Sequence, residues 1–210
     1  MENIRWELYK ITKEDRQKLH GHRSFVIWFT GLPSSGKSTL ANSVETVLHQ
    51  HHISTYTLDG DNVRNGLNAG LGFTDWDRKE NIRRVSEVAK LFVDAGIVVL
   101  VAAISPAKED RSCARGKFNA TEFVEVFVDC PVQVCAARDV KGLYRKAQAG
   151  EIHDFTGVSA PYEAPENPEL HLRTDESTIA QCRDVIIDYL SHPLGLDTHS
   201  SQDGEEKLFQ

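Results

Sequence analysis

The sequence is poor in the features that would mark a membrane, secreted, zinc-stabilised or nucleic-acid-binding protein. No run approaches the roughly 18 apolar residues that a membrane helix requires. The N-terminus, MENIRWELYK, alternates charges and has no apolar core, so it is not read as a secretory signal. The four cysteines (Cys113, Cys130, Cys135 and Cys182) form no CxxC pair and match no zinc spacing. Such thiols behave as small buried hydrophobes in a reducing compartment, and a cytoplasmic location is expected. Positive charge is in deficit: 24 Lys and Arg stand against 31 Asp and Glu, for a net charge of −7. That argues against a nucleic-acid partner, whose affinity would rest on phosphate neutralisation. No membrane partner is expected either. There is no internal repeat and no low-complexity segment.

The 210 residues, 40% of them apolar and 26% charged, fit one ordinary globular domain. A chain of this length buries roughly 70–75% of its unfolded surface, so it folds without disulfide or structural metal.

Apolar runs alternate with amphipathic stretches. Residues 1–23 form a polar leading segment in which Thr12 and Asp15 mark the start of a short helix, Lys13 to His20. Ser24 to Thr30 and Ile97 to Ile104 are continuous apolar runs, the mark of strands buried on both faces. Ser54 to Leu58, Phe123 to Asp129 and Leu170 to Arg173 complete the predicted strands. Helices are predicted over Lys37 to Gln50, Asp75 to Ala95, Lys108 to Phe118, Val132 to Arg138 and Gly142 to Ala149. Gly96 stands as the C-terminal cap of the second of these. Ile179, Cys182, Ile186 and Leu190 mark a last helix, followed by a polar, acidic tail over 191–210. This alternation predicts an α/β, three-layer fold with a mostly parallel sheet and helices on both faces. Ligands would then sit beyond the carboxyl ends of the strands.

Between the first strand and its helix lies Gly31-Leu32-Pro33-Ser34-Ser35-Gly36-Lys37-Ser38-Thr39. It satisfies G-x-x-x-x-G-K-[ST] in the required context. Backbone N–H groups of such a loop surround phosphate oxygens, and the helix N-terminus adds partial positive charge. Lys37 brings a full charge to the β- and γ-phosphates, and the Ser38 hydroxyl ligates Mg²⁺. ATP and Mg²⁺ are therefore the expected ligands, with Lys37 facing solvent when no nucleotide is bound. A chance match has a probability on the order of 1% from residue usage. A GTP-dependent switch is the main rival among non-kinases. Asp154-Phe155-Thr156-Gly157 matches the loose D-x-x-G pattern, but it follows no strand and no N-K-x-D motif exists.

The acceptor side is read from charged and polar groups. Asp59-Gly60-Asp61-Asn62 ends the second strand, where a carboxylate can hold a Mg²⁺-bound water or orient a hydroxyl. Either aspartate could equally cap a helix. Arg78, Asn81 and Ile82 share a helix face that is either solvated or a clamp for an anion. Lys141, Arg145 and Lys146 form a basic cluster where small kinases carry a mobile lid, here spanning about 138–168. His49, His51 and His52 fall at a helix end and suit its dipole better than a metal.

Several blocks in order, WFTGLPSSGKSTLA, TLDGDNVRNGLN, LGFTDWDRKENIRRVSEVAKLF, ISPAKEDR, FVEVFVDCP and RDVKGLYRKAQAGEIHDFTGVSAPYEAPENPEL, resemble the adenylylsulfate kinases from about Trp6 to Leu190. The resemblance implies a P-loop kinase domain over 24–190 that phosphorylates the 3′-hydroxyl of adenosine 5′-phosphosulfate in sulfate assimilation. It also implies a stand-alone form that assembles as a homodimer. By it, Asp61 faces the acceptor hydroxyl, and Asp59, Asn62, Arg64, Arg78 and Asn81 surround the ribose and phosphosulfate. Phe73 and Phe155 would sandwich the adenine, Ile104 and Ser105 line the pocket, and Lys141 is the basic lid residue. Ser105 matches the family's proposed phosphoserine position. The chain departs from the family pattern at Ala103, at Ala107-Lys108 and at Pro33-Ser34-Ser35. Two alternatives remain at this point: another small kinase acting on a nucleoside monophosphate or sugar acid, and a nucleotide-regulated binding module.

Overall fold

The computed structural model describes Arg5 and residues 7–194. Trp6, where the family resemblance begins, and the tail from 195 onward lie outside the described residues. In chain order the elements are α1 (Lys13–His20), β1 (Val26–Thr30), α2 (Lys37–Gln50), β2 (Thr55–Asp59), α3 (Gly60–Arg64), α4 (Asp75–Asp94), β3 (Val98–Ala102), α5 (Lys108–Arg115), β4 (Phe123–Asp129), α6 (Val132–Arg138), α7 (Leu143–Gln148), β5 (Leu170–Arg173) and α8 (Ile179–Leu194). The five strands form one sheet in the order β2-β3-β1-β4-β5, and every pairing is parallel.

The unbroken apolar runs are explained by two separate cores. Side chains of β1 alternate across the sheet. Ile27 and Phe29 pack with Leu40, Val44 and Leu48 of α2 and with Ile186 and Leu190 of α8. Val26 and Trp28 pack with Ile82, Val85 and Ala89 of α4 and Ala114 of α5 on the other face. All five residues of β1 and of β3 are buried. Each large side chain so buried contributes about 1.5–3 kcal/mol relative to exposure.

Local signals set the helix ends. Thr12 and Asp15 form the expected capping box at α1, and Thr74 and Asp77 form a second one at α4. Gly96 follows α4 with φ +86°, and a side chain there would approach His20 to 2.7 Å, so α1 packs against that turn. The larger departures from expectation are three boundaries and one added element. The run 97–104 is a strand only to Ala102, because the chain turns at Ser105 with φ +40°. The helix from Lys108 stops at Arg115 rather than Phe118. The last helix continues to Leu194, four residues into the expected tail. The short α3 has no predicted range, only the reading that one of the aspartates could cap a helix; the cap is Asp59, whose side chain accepts from Asp61 N–H at 3.0 Å.

A third, small cluster lies apart from the sheet. Cys130, Cys135, Tyr144, Ala147 and Phe155 pack with Leu32 and Leu143, joining the segment after β4 to the Gly31–Ser38 loop. The Tyr144 hydroxyl donates to Pro33 O at 3.0 Å. Among the described residues no helix is long and apolar enough to cross a membrane.

Candidate active site

The loop after β1 is shaped by backbone that only small residues tolerate. Gly31 has φ +152°, and a Cβ there would lie 2.4 Å from Val128 O. Gly36, with φ +104°, opens α2. Thr174 Oγ donates to Ser35 O at 2.8 Å, so the loop is also fastened to the end of β5.

Lys37 corrects the expectation of a solvent-facing side chain. It is buried, and Nζ donates to Gly31 O at 2.9 Å and to Leu32 O at 2.7 Å. Burial pulls its ammonium down to about 8, with Asp59 and Asp61 among the groups opposing that shift. Phosphate oxygens placed by the loop would supply the anionic partner that this desolvated cation lacks.

Asp59 divides its two oxygens. Oδ1 accepts from Asp61 N–H, and Oδ2 accepts from Ser38 Oγ at 2.6 Å. Asp59 is therefore the helix cap, which settles which of the two aspartates does that work. The Asp61 carboxylate instead pairs with Lys141 Nζ across the cavity. Ser38 and Asp59 are adjacent hard oxygen donors and fit Mg²⁺, whose remaining ligands are typically water and phosphate oxygen. Among the described residues no group of three or more His, Cys, Asp or Glu side chains could hold a metal ion. His49 lies in the last turn of α2 and His51 is its C-terminal cap.

One cavity of about 380 Å³ joins these groups. The loop residues Pro33, Ser34, Gly36, Lys37, Ser38 and Thr39 form one side, with Asp59 and Asp61 beside them. Arg64, Phe73, Arg78, Asn81, Ile104, Ser105, Lys141 and Phe155 line the rest. Asn62 is exposed and does not line it. Gly31, Leu32 and Ser35 shape the loop from behind.

The cationic residues are held by backbone. Arg64 donates to Gly72 O at 2.9 Å, and its guanidinium lies 4.5 Å over the Phe73 ring. Arg78 donates to Phe73 O and Thr156 Oγ, each at 2.9 Å, and to Asp154 O. Burial lowers both guanidinium pKa values, yet arginine stays charged. Asn81 is buried and its Oδ1 accepts from Asn68 Nδ2 at 2.9 Å. Phe155 is buried with its ring edge-on to Tyr144, whereas Phe73 is exposed. Ser105 is 1% exposed, and its hydroxyl accepts from Trp28 Nε1 at 3.1 Å. Sequence reasoning missed Trp28, Asn68 and Tyr144. Each acts through burial, which a one-dimensional pattern of polar and apolar residues does not report.

The adenylylsulphate kinase family profile matches residues 23–173. An adenylyl-sulfate kinase of Thermodesulfovibrio yellowstonii is 59% identical over 182 residues, 85% of this chain and 91% of the relative. Among solved structures, the Mycobacterium tuberculosis APS kinase in complex with AMPPNP and APS has a TM-score of 0.78 and 51% identity, covering 80% of this chain and 98% of that one. A hexameric APS kinase from Thiobacillus denitrificans has a TM-score of 0.63 and 29% identity, covering 81% of this chain and 29% of that one.

Proposed function

The chain belongs to the adenylylsulphate kinase family, and from that premise we propose how its own residues phosphorylate adenosine 5′-phosphosulfate. The enzyme transfers the γ-phosphoryl group of ATP to the acceptor's 3′-hydroxyl, giving ADP and 3′-phosphoadenosine 5′-phosphosulfate. The observation that carries the residue assignment is the shared cavity, in which the Gly31–Thr39 loop, Asp61 and the acceptor-side cations face one another.

Phosphoryl transfer asks a protein mainly for position and charge. The loop N–H groups and Lys37 hold the β- and γ-phosphates. Ser38 and Asp59 would hold Mg²⁺, which when bound neutralises charge developing on the phosphate oxygens. Asp61 accepts the proton of the 3′-hydroxyl and aims its oxygen at the γ-phosphorus. Lys141, already paired with Asp61, brings a second cation to the transferring group. Arg64, Arg78 and Asn81 take the phosphosulfate, with Asn62 at its rim. Phe73 and Phe155 take the adenine, and Ile104 and Ser105 wall the pocket.

The catalytic unit is residues 24–190, with 138–168 as its lid. Assembly as a homodimer belongs to the same proposal and would be read as twice the chain mass by light scattering. The four unpaired thiols support a reducing, cytoplasmic setting.

The test is ADP release with a panel of acceptors, with the product identified by mass and by position of phosphorylation. Adenosine 5′-phosphosulfate should react at the 3′-oxygen. AMP should be poor, because the cationic groups lose a partner. An analogue without the 3′-hydroxyl should bind and not react. Efficient phosphorylation of AMP or a sugar acid, with none of the phosphosulfate, would overturn the acceptor while leaving the kinase standing.

A further inference from the structure

Ile104, Ser105 and Pro106 form one wall of the cavity, yet their backbone carbonyls are all taken up elsewhere. Thr30 Oγ donates to Ile104 O at 2.8 Å. Arg111 Nη1 donates to Ser105 O at 2.6 Å and to Pro106 O at 3.2 Å. Arg111 Nη2 reaches Glu163 O at 2.6 Å, and Glu163 N–H returns a bond to Pro106 O at 2.9 Å. The guanidinium also lies 5.7 Å over the Tyr162 ring, whose hydroxyl is 2.9 Å from Thr30 Oγ. Arg111 is 3% exposed, and its Nε stands 3.0 Å from the buried Glu125 carboxylate on β4.

A buried ion pair is a poor source of stability, since apolar residues of similar volume commonly do as well. What a buried arginine does supply is a planar fork of donors with fixed directions. Here the fork spans two chain segments that are far apart in sequence, the 105–106 turn and the loop at Glu163. The turn it holds is strained: Ser105 carries a side chain at φ +40°.

We propose that Arg111, paired with Glu125, is a positioning residue that turns the Ser105 and Pro106 carbonyls away from the acceptor cavity and fastens this wall to Glu163, near the end of the 138–168 segment. The inference rests on the reading of residues 104–106 as acceptor wall. Without the fork, Ser105 would relax toward negative φ and swing a carbonyl dipole toward a dianionic acceptor. Acceptor recognition would suffer while the phosphate loop, on the other side of the cavity, would not.

The experiment compares the wild type with Arg111→Lys, which keeps a cation opposite Glu125 and removes the fork. The expected result is an acceptor KM raised roughly tenfold to a hundredfold, the scale of misplacement by about 1 Å, with the KM for ATP within about twofold. The Trp28 indole N–H, hydrogen-bonded to Ser105 Oγ, serves as a ligand-free reporter: its NMR resonance should shift and exchange faster in the variant. Unchanged acceptor KM with an unchanged indole signal overturns the proposal. So does an equal rise of both KM values with a lower unfolding midpoint, which would mark Arg111 as structural only. Should the Lys variant not fold, Glu125→Gln loosens the anchor more gently and is judged by the same criteria. A wild type that leaves adenosine 5′-phosphosulfate unreacted would overturn the acceptor reading instead, and the indole signal would still decide whether Arg111 holds the turn.

Discussion

The two halves of the cavity are built on different principles. The phosphate side is nine consecutive residues between one strand and one helix, and its chemistry is largely backbone N–H groups, one lysine and one hydroxyl. The acceptor side is assembled from side chains on five separate stretches: Asp61 and Arg64, Phe73 to Asn81, Ile104 to Ser105, Lys141, and Phe155. A backbone cradle depends on glycine at fixed positions, so it varies little with its surroundings. A side-chain pocket depends on what lies behind each residue, and here those supports are Asn68 behind Asn81, Tyr144 behind Phe155 and Asp154 behind Arg78. The first half can serve any acceptor; the second decides which one.

Substitutions should separate the halves. The largest effect is expected at Lys37→Ala. Removing one fixed donor to developing negative charge costs about 10²–10³ in kcat, and the loss should appear with every acceptor. Because Nζ is bonded to Gly31 O and Leu32 O, far-UV circular dichroism should accompany the assay to show that the fold persists. Turnover near the wild-type value would remove the lysine from the mechanism.

Next comes Asp61→Asn, which preserves shape and removes the charge. Turnover should drop by about 100-fold or more, within the usual range for a general base. Asp59 rather than Asp61 caps α3, so the thermal midpoint should hardly move. A fall in midpoint with unaltered turnover would reverse that division of labour.

Phe73→Ala sharpens the contrast further. Acceptor binding should weaken by roughly 1–3 kcal/mol, the worth of a base stacked on an aromatic ring. Nucleotide affinity, measured with a non-hydrolysable ATP analogue, should stay close to the wild-type value. Equal losses for both ligands would mean that the two halves are not energetically separate.

The smallest effect concerns pH. Lys37 titrates at about 8 in the folded chain against an ordinary 10.5, chiefly through burial. Between those two values the unfolded chain binds more protons, so folding stability contributed by this residue rises with pH across that window. Below it, both states hold the proton and the burial cost is expressed in full. Denaturant titrations of the protein without nucleotide should show the rise, and Lys37→Met should flatten it. A variant with the same slope as the wild type would mean the ammonium is not desolvated.

Legibility in the sequence follows the same division. The phosphate loop, the buried strands β1, β3 and β4 and the helix start at Thr12 could be read directly, because each is a contiguous pattern with a local cause. The all-parallel order follows from the strand–helix alternation. The acceptor pocket had no such local signature: Arg78 and Asn81 could as well have been a solvated helix face, and only the family resemblance named their partners. Arg111 shows why. It sits among Lys108, Glu109 and Asp110, a stretch that looks like any polar helix start. Its value comes from Glu125, Ser105 and Glu163, which chain folding brings to it. Position 103 makes the converse point: Ala103, one of the departures noted in the sequence, is buried in the core cluster that includes Val101 and Ile82.

The divided carboxylate of Asp59 has a mechanical consequence. In the sheet, β3 lies between β2 and β1, so a bond from the end of β2 to Ser38 crosses over a strand. It closes a triangle whose other members are paired strands, the edge strand β2 and the buried β3 and β1. Its weakest member is the exposed Ser38–Asp59 hydrogen bond itself, so the brace holds while that bond is made. Ser38 and Asp59 are thereby held at one separation, like the fixed jaw of a vise. On the other side of the cavity the stretch from Arg138 to Pro168 is held by many separate contacts instead: the Tyr144–Phe155 cluster, Lys141 on Asp61, Arg78 on Asp154 and Thr156, and Arg111 on Glu163.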